Sequence, residues 1–411
     1  MSEKNTYDNL LVNWAEEEKV PIIKIIGVGG GGGNAVAHMF LSGVRDARFL
    51  VCNSDSKALE SSPVPDRLQI GEGLGCGGNP VKGKEYAEAS LPAIRNALDK
   101  DTKMVFITAG MGGGTGTGAA PVIAREAKKK GILTIGIVTT PFLFEREKII
   151  DKALDGVETL AKEVDAILVI NNQRLVEIYP RLSVQKGFAM ADETLTKAAS
   201  SIIEIINMHG HIDLDFEDVC TVLRDGGVAV MSSGTAKGEN RITQAINAAL
   251  TSPLLNNNDI YRSEKIIFCI TTPKSNGYEL MMEEMNELSN FMTAFNERVE
   301  TKWGLIYDND MGEDIKITIL ASGISLFGKK PVEDQPKGSY FENPDSTHAQ
   351  MYTNLYGPSL KNKITRKTNR VFIFNEKDLI NEETVAMVEN KPTYQRNLND
   401  LKTIQDLSKS V

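Results

Sequence analysis

Cysteine is scarce and scattered. Cys52, Cys76, Cys220 and Cys269 are the only four in 411 residues, and no two stand in a C-x-x-C spacing. That excludes a disulfide framework or a thiolate zinc site as the organising feature, and unpaired thiols suit a reducing compartment. Histidine is equally thin, with four residues. His209 and His211 flank Gly210 and read as loop histidines rather than a metal pair, so no metal ligand is assigned. No stretch reaches the roughly 18 apolar residues of a membrane span, and the opening MSEKNTYDNLLVNWAEEEKV carries acids where a signal core would be apolar. A cytoplasmic protein with no direct membrane insertion is expected. Excess positive charge is missing as well: a net charge of -9 disfavours non-specific attachment to nucleic acid or an anionic membrane. There is no G-x-x-x-x-G-K-[ST], which excludes a P-loop enzyme, and no repeat of solenoid period.

What is present is an alternation. Five short apolar runs, PIIKIIGVG (21–29), FLVCN (49–53), MVFITAG (104–110), ILTIGIVTT (132–140) and AILVINN (166–172), are rich in β-branched residues and read as buried strands. Helical patterns at 33–42, 80–98, 118–130 and 145–163 separate them. Strand–helix alternation predicts an α/β fold with a parallel sheet covered on both faces. Residues 184–207 fit one long connecting helix. A second α/β or α+β layer is expected over 210–328, with strands at 227–234, 265–272, 305–309 and 315–324 and helices near 216–225, 238–250 and 277–298. Met281, Met282 and Met285 fit one face of that last helix and read as core. The expected organisation is thus a flexible lead (1–20), a nucleotide domain (21–183), a central helix (184–209), a second domain (210–328) and a disordered tail (329–411), whose composition turns polar. Within the tail only VFIFNEKDLI (371–380) is strongly apolar.

Two glycine-rich segments carry the chemistry. GVGGGGGNA (27–35) follows a strand and enters a helix, where bare backbone amides and a positive helix end favour phosphate. It also matches G-x-G-x-x-G through Gly27, Gly29 and Gly32, with Asp55 some twenty residues on, which keeps a nicotinamide-dependent dehydrogenase as the alternative. The second segment, GMGGGTGTG (110–118), repeats the strand-to-helix junction with six glycines and two threonines. One such loop serves a dinucleotide; two suggest a triphosphate clamped from both sides. GEGLGCGGNP (71–80) adds further amides near the same end of the sheet. Elsewhere HIDLDFEDV (211–219) crowds Asp213, Asp215, Glu217 and Asp218 into six residues of a loop entering a helix, either an acidic helix start favoured by the helix dipole or a set of water-orienting carboxylates. A nucleotide-binding structural protein without catalysis is the third reading.

GVGGGGGN, GMGGGTGTGAAP, TTPFLFE and DLDFEDV together resemble the tubulin/FtsZ GTPase family over residues 20–328. The resemblance implies a tubulin-like fold, a GTP/GDP site with Mg²⁺ bound through the nucleotide, and a GTPase activated by head-to-tail self-assembly into filaments at the midcell division site. Carried over by motif, Gly30, Gly31, Gly32, Gly33 and Asn34 would hold phosphate, as would Gly110, Gly112, Gly113, Gly114, Thr115, Gly116, Thr117 and Gly118. Glu145 would contact the ribose, Asn172 the base or sugar. Asp192 would read guanine, since a carboxylate accepts from both N1–H and the 2-amino group, a donor pair adenine lacks; a solvated helix acid is the plainer reading. Asp215 and Asp218 would enter a neighbouring subunit's pocket and position the attacking water. This chain departs from the family at Asp213, where asparagine is frequent, and at Ile149, where arginine is frequent. KPTYQR (391–396) is similar to the family's C-terminal peptide, which docks on membrane-tethering and division partners.

Overall fold

The computed structural model describes residues 20–252, 260–274, 277–295, 298–324, 351, 355 and 356. Among them, eleven strands form one sheet in the order β3-β2-β1-β4-β5-β6-β8-β11-β9-β10-β7. The five apolar runs are β1 (Ile23–Val28), β2 (Ala47–Asn53), β4 (Met104–Gly110), β5 (Leu133–Thr140) and β6 (Ala166–Asn171), with the short β3 (Arg67–Gln69) at the edge. All pair in parallel. The side chains of β1, β4, β5 and β6 are almost all buried because both faces are covered, while the edge strand β3 is largely exposed. The helices of this half are α1 (Gly29–Leu41), α2 (Ser56–Glu60), α3 (Pro80–Ala89), α4 (Leu91–Ala97), α5 (Thr115–Lys129), α6 (Glu147–Ala161) and α7 (Asn172–Ile178). The 80–98 pattern, expected as one helix, is two: Ser90 ends α3 and Pro92 sits in the first turn of α4, where a missing N–H does no harm.

The connecting helix is α8 (Val184–Asn207), 24 residues or about 36 Å long. Ser183 caps it by accepting from the Lys186 amide. Its Leu195, Ala198, Ile202 and Ile205 join the core beneath β1, β4 and β5.

The second half continues the same sheet: β7 (Gly210–Ile212), α9 (Phe216–Leu223), β8 (Gly227–Ala236), α10 (Arg241–Leu250), β9 (Lys265–Thr272), α11 (Met285–Met292), β10 (Glu300–Tyr307) and β11 (Ile315–Ile324). The halves join through a short parallel pairing, Ala166 with Gly227 and Ile167 with Val228. Two expectations fail here. The helix expected over 277–298 is confined to Met285–Met292, and Met281 and Met282 are 56% and 86% exposed rather than core. The cause is Arg241. Its buried guanidinium pairs with Glu284 at 2.6 Å and donates to the carbonyls of Tyr278 and Glu279, claiming groups that a helix over 277–284 would use itself.

The polar composition predicts disorder from residue 329 onward. At three positions the structure differs: Met351, Leu355 and Tyr356 are buried. The Tyr356 hydroxyl donates to the Pro141 carbonyl at 2.8 Å, and Asn171 Nδ2 donates to the Leu355 carbonyl. VFIF, KPTYQR and the lead 1–19 lie outside the described residues.

Candidate nucleotide site

From β1 the chain winds outward through β2 and β3, whereas β4, β5 and β6 wind the other way. The switch point therefore lies between β1 and β4, and a ligand is expected beyond their carboxyl ends. Each strand leads into a helix there, α1 directly after Val28 and α5 at Thr115. The run Gly29–Gly33, expected as a loop, is in fact the first turns of α1. Its leading amides are those that an α-helix leaves without intrahelical partners.

Space sorts the glycines. A Cβ on Gly32 would lie 2.2 Å from the Thr108 carbonyl oxygen, so glycine there lets α1 rest on β4. Gly112 has φ +102, and a Cβ would stand 2.7 Å from the Ile149 side chain. That places Ile149 against the second loop. Gly114, Gly116 and Gly118 are packed against residues 76–84 and β1–β4. Gly30, Gly33 and Gly113, in contrast, meet nothing within 4 Å and face open space, with Asn34 exposed beside Gly33. Gly31 lies against Gly110, and Gly29 against Gly116, so the two segments form one surface.

The threonines serve the loop itself. Thr117 Oγ1 accepts from the Gly112 amide at 2.9 Å. Thr115 Oγ1 is 2.6 Å from Ser54 Oγ and 3.5 Å from Cys76 Sγ. Ser54 is thus a support that the sequence does not announce, while Cys76 comes from the 71–80 segment expected near this end of the sheet, although its own contact with Thr115 carries no local signal.

At the other end of the cradle, Phe142 stacks on Phe144 at 5.1 Å and meets the edge of Phe188 at 5.1 Å. Glu145 bends back so that Oε1 accepts from the Phe142 amide at 2.9 Å. Gln173 Oε1 accepts from the Leu143 amide and fixes this loop to α7. Asn171 caps α7, which seats Asn172 at its first position. Asn172 is buried and its Oδ1 has no partner among the described residues. Such an orphan is costly and fits a ligand donor. Asp192 follows Phe188 by one turn of α8, and burial pushes its carboxyl up to about 6.

The acidic loop lies elsewhere. Asp213 Oδ1 accepts from the Gly210 amide at 2.6 Å, the acceptor role an asparagine would fill. Asp215 and Asp218 cap α9 reciprocally: Asp215 Oδ1 accepts from Asp218 N at 2.8 Å, and Asp218 Oδ2 from Asp215 N at 3.0 Å. The helix-start reading is therefore true of both. Lys302, unsuspected from sequence, donates to Asp218 Oδ1 at 2.5 Å, and this ammonium, more than any other neighbour, holds the carboxyl below the usual range. The fifteen helical steps from Asp192 to Asn207 separate the Asp192 end of α8 from the acid loop by about 22 Å. One chain does not bring them together.

The fold and cradle define a nucleotide-binding α/β protein of the tubulin type. Models of the tubulin/FtsZ GTPase domain, the FtsZ C-terminal domain and a further FtsZ C-terminal segment match residues 22–180, 227–325 and 366–411. Cell division protein FtsZ of Porphyromonas gingivalis is 44% identical over 406 residues, 95% of this chain and 88% of that protein. The Pseudomonas putida protein of the same name is 40% identical over 319 residues, 76% and 79% of the two chains. Among solved structures, the empty FtsZ dimer of M. jannaschii aligns with a TM-score of 0.67 at 33% identity, covering 77% of this chain and 95% of that one. The GTPγS-bound CetZ2 protofilament of Haloferax volcanii aligns at 0.64, with 21% identity and 74% and 93% coverage, a likeness of fold. The chain belongs to the tubulin/FtsZ family and is a GTPase. The dehydrogenase alternative falls away. Asp55, its proposed ribose acid, is the N-cap of α2, accepting from the Lys57 amide at 3.0 Å. Among the described residues no helix is long and apolar enough to cross a membrane.

Proposed function

We propose that this chain is the division GTPase of its cell: it binds GTP at the switch point, assembles head to tail, and cleaves GTP in a site completed by the next copy. What supports this most is the division of labour along α8. The amide cradle, the orphan Asn172 acceptor and Asp192 stand at one end, and Asp215 and Asp218 at the other. We take 21–183 as the nucleotide domain, 184–209 as the connector and 210–328 as the activating domain.

In this reading Gly30–Asn34, Gly110 and Gly112–Gly118 line the phosphates, and the amides that hold them are the free ones of the first turn of each helix, since the Gly112 N–H already serves Thr117 and the Gly118 N–H the Gly114 carbonyl. Glu145 receives a ribose hydroxyl on the oxygen that Phe142 does not use, and Ile149 walls the loop. Asn172 takes a base or sugar donor, and ionised Asp192 takes the two guanine N–H groups. Asp215 and Asp218 accept hydrogen bonds from a water aligned on the neighbour's γ-phosphorus. The P–O bond to the β–γ bridging oxygen breaks as the water oxygen bonds, releasing GDP and phosphate. The cradle offers amides and hydroxyls but no carboxylate cage, so Mg²⁺ would ride on the phosphate oxygens and offset charge developing there. Action at midcell, and docking of membrane-tethering and division proteins on the tail, complete the proposal; the family match at 366–411 supports a defined function for that segment.

The test is GTP turnover per subunit against protein concentration, with light scattering alongside. Turnover should rise above a threshold that coincides with scattering. Asp215→Ala and Asp218→Ala should bind GTP but hydrolyse it about 100-fold more slowly or worse, the range for a lost proton-handling group. Full turnover by a monomer, or undiminished hydrolysis in both variants, would refute it.

A further inference from the structure

Four carboxylates lie within the six residues from Asp213 to Asp218. Lys302 comes from far away in sequence, on a strand whose first residues, Glu300, Thr301 and Lys302, are polar. It reaches this loop because β10 pairs antiparallel with β7, Leu305 opposite Ile212 and Ile306 opposite Gly210. A Cβ on Gly304 would lie 2.7 Å from Leu214, so a bare backbone here lets the loop close onto the strand. Leu214 is itself buried and anchors the segment between Asp213 and Asp215. The ammonium then meets one oxygen of Asp218, while the other receives the Asp215 amide. Both oxygens of this carboxylate are thereby directed from two different elements.

We propose that Lys302 is a positioning residue for GTP hydrolysis, fixing the plane and charge of the Asp218 carboxylate before the loop meets a neighbour's nucleotide. This rests on the reading of Asp218 as a water-directing acid. An N-cap box alone would hold Asp218 Oδ2 and leave Oδ1 to rotate about it. With Lys302 in place, the only freedom is that of a doubly held group. The same ammonium offsets one of the four negative charges as they approach a triphosphate. An ordinary surface ion pair would contribute little; the distinction lies in what the lysine holds and where that group is sent.

The experiment uses the full chain. Lys302→Met should lower turnover within polymer about tenfold, with GTP affinity of the dilute protein and the assembly threshold unchanged. Lys302→Arg should restore most of the rate. In the Asp218→Asn background, Lys302→Met should cause no further loss, because the lysine acts only through that carboxylate. Any of three results would overturn the inference: a full rate in Lys302→Met while Asp218→Asn is impaired, an additive loss in the double variant, or a loss of turnover matched by a raised assembly threshold. A full rate in Asp218→Asn would instead overturn the role of Asp218 itself, so the two failures are separable.

Discussion

Replacing Asp192 by asparagine should make the nucleotide-free protein more stable and the GTP complex weaker. The carboxyl is largely desolvated on α8 and titrates at about 6 instead of 3.8 because burial disfavours its charge. The folded state therefore holds a proton that the unfolded chain has released, between pH 4 and 6. Stability must fall as pH rises through that window. The penalty is absent below pH 4, complete above pH 6, and at most about 3 kcal/mol at 1.36 kcal/mol per pH unit, less what solvent reaching the group screens away. Asparagine has nearly the same shape and cannot ionise. Urea denaturation of the nucleotide-free variant should therefore show a gain over the parent at pH 7.5 that vanishes at pH 4. Binding should move the other way. Two guanine donors to a charged acceptor contribute about 1.5–3 kcal/mol, so the variant should lose roughly 10- to 150-fold in GTP affinity. Its amide can instead donate to the 2-carbonyl of xanthine, and XTP should gain on GTP. An unchanged stability difference across pH would show that burial does not govern Asp192. An unchanged GTP-to-XTP preference would show that the base does not sit there.

Neighbouring glycines in α1 should respond oppositely to alanine. Gly32→Ala drives a methyl into the Thr108 carbonyl and should lose about 3 kcal/mol, read as a lower denaturation midpoint. Gly33→Ala meets nothing within 4 Å and should gain roughly 0.5–1 kcal/mol as a helical residue, while its methyl reduces GTP affinity; equal behaviour of the two variants would contradict the sorting of glycines by space. Tyr356→Phe removes the hydroxyl that donates to the buried Pro141 carbonyl and should destabilise by about 1–2 kcal/mol; an unchanged thermal midpoint would mean that this tail contact contributes nothing.

How far the sequence can be read depends on the range of the interaction. The five parallel strands and α8 are legible because their apolar periodicity is local and each buries a continuous run or face in the core. The three-residue strands β3 and β7 carry no period and escape detection. The apolar pattern predicts a strand from Leu305, but β10 begins at Glu300; pairing with β9 and β7 overrides the polar character of its opening. That difference hides Lys302, which only the sheet brings to Asp218. The same holds for Ser54 and Cys76 under Thr115, and for Arg241, whose ion pair with Glu284 replaces a helix by turns. The glycine segments are visible as a motif, but the division of Gly32 from Gly30 and Gly33 requires knowing which carbonyl lies opposite. Met351, Leu355 and Tyr356 stand in a polar stretch too weakly patterned to announce burial.

The strand order β3-β2-β1-β4-β5-β6 also explains why the first glycine segment alone points to a dinucleotide enzyme. That order is the one such folds share, and its switch point invites a phosphate in either case. The difference lies at the carboxyl end of β4. Here a second glycine-rich junction opens α5, and the first helix touches it: a Cβ on Gly29 would lie 2.7 Å from the Gly116 amide nitrogen. Two helix N-termini, each equivalent to about half a positive charge, converge on one cradle, and neither has an acid in its first turn. A single pyrophosphate needs only one such end. A triphosphate, longer and more highly charged, can engage both, and the match between its charge and two aligned dipoles is the physical reason why the second junction outweighs the first in deciding what this fold binds.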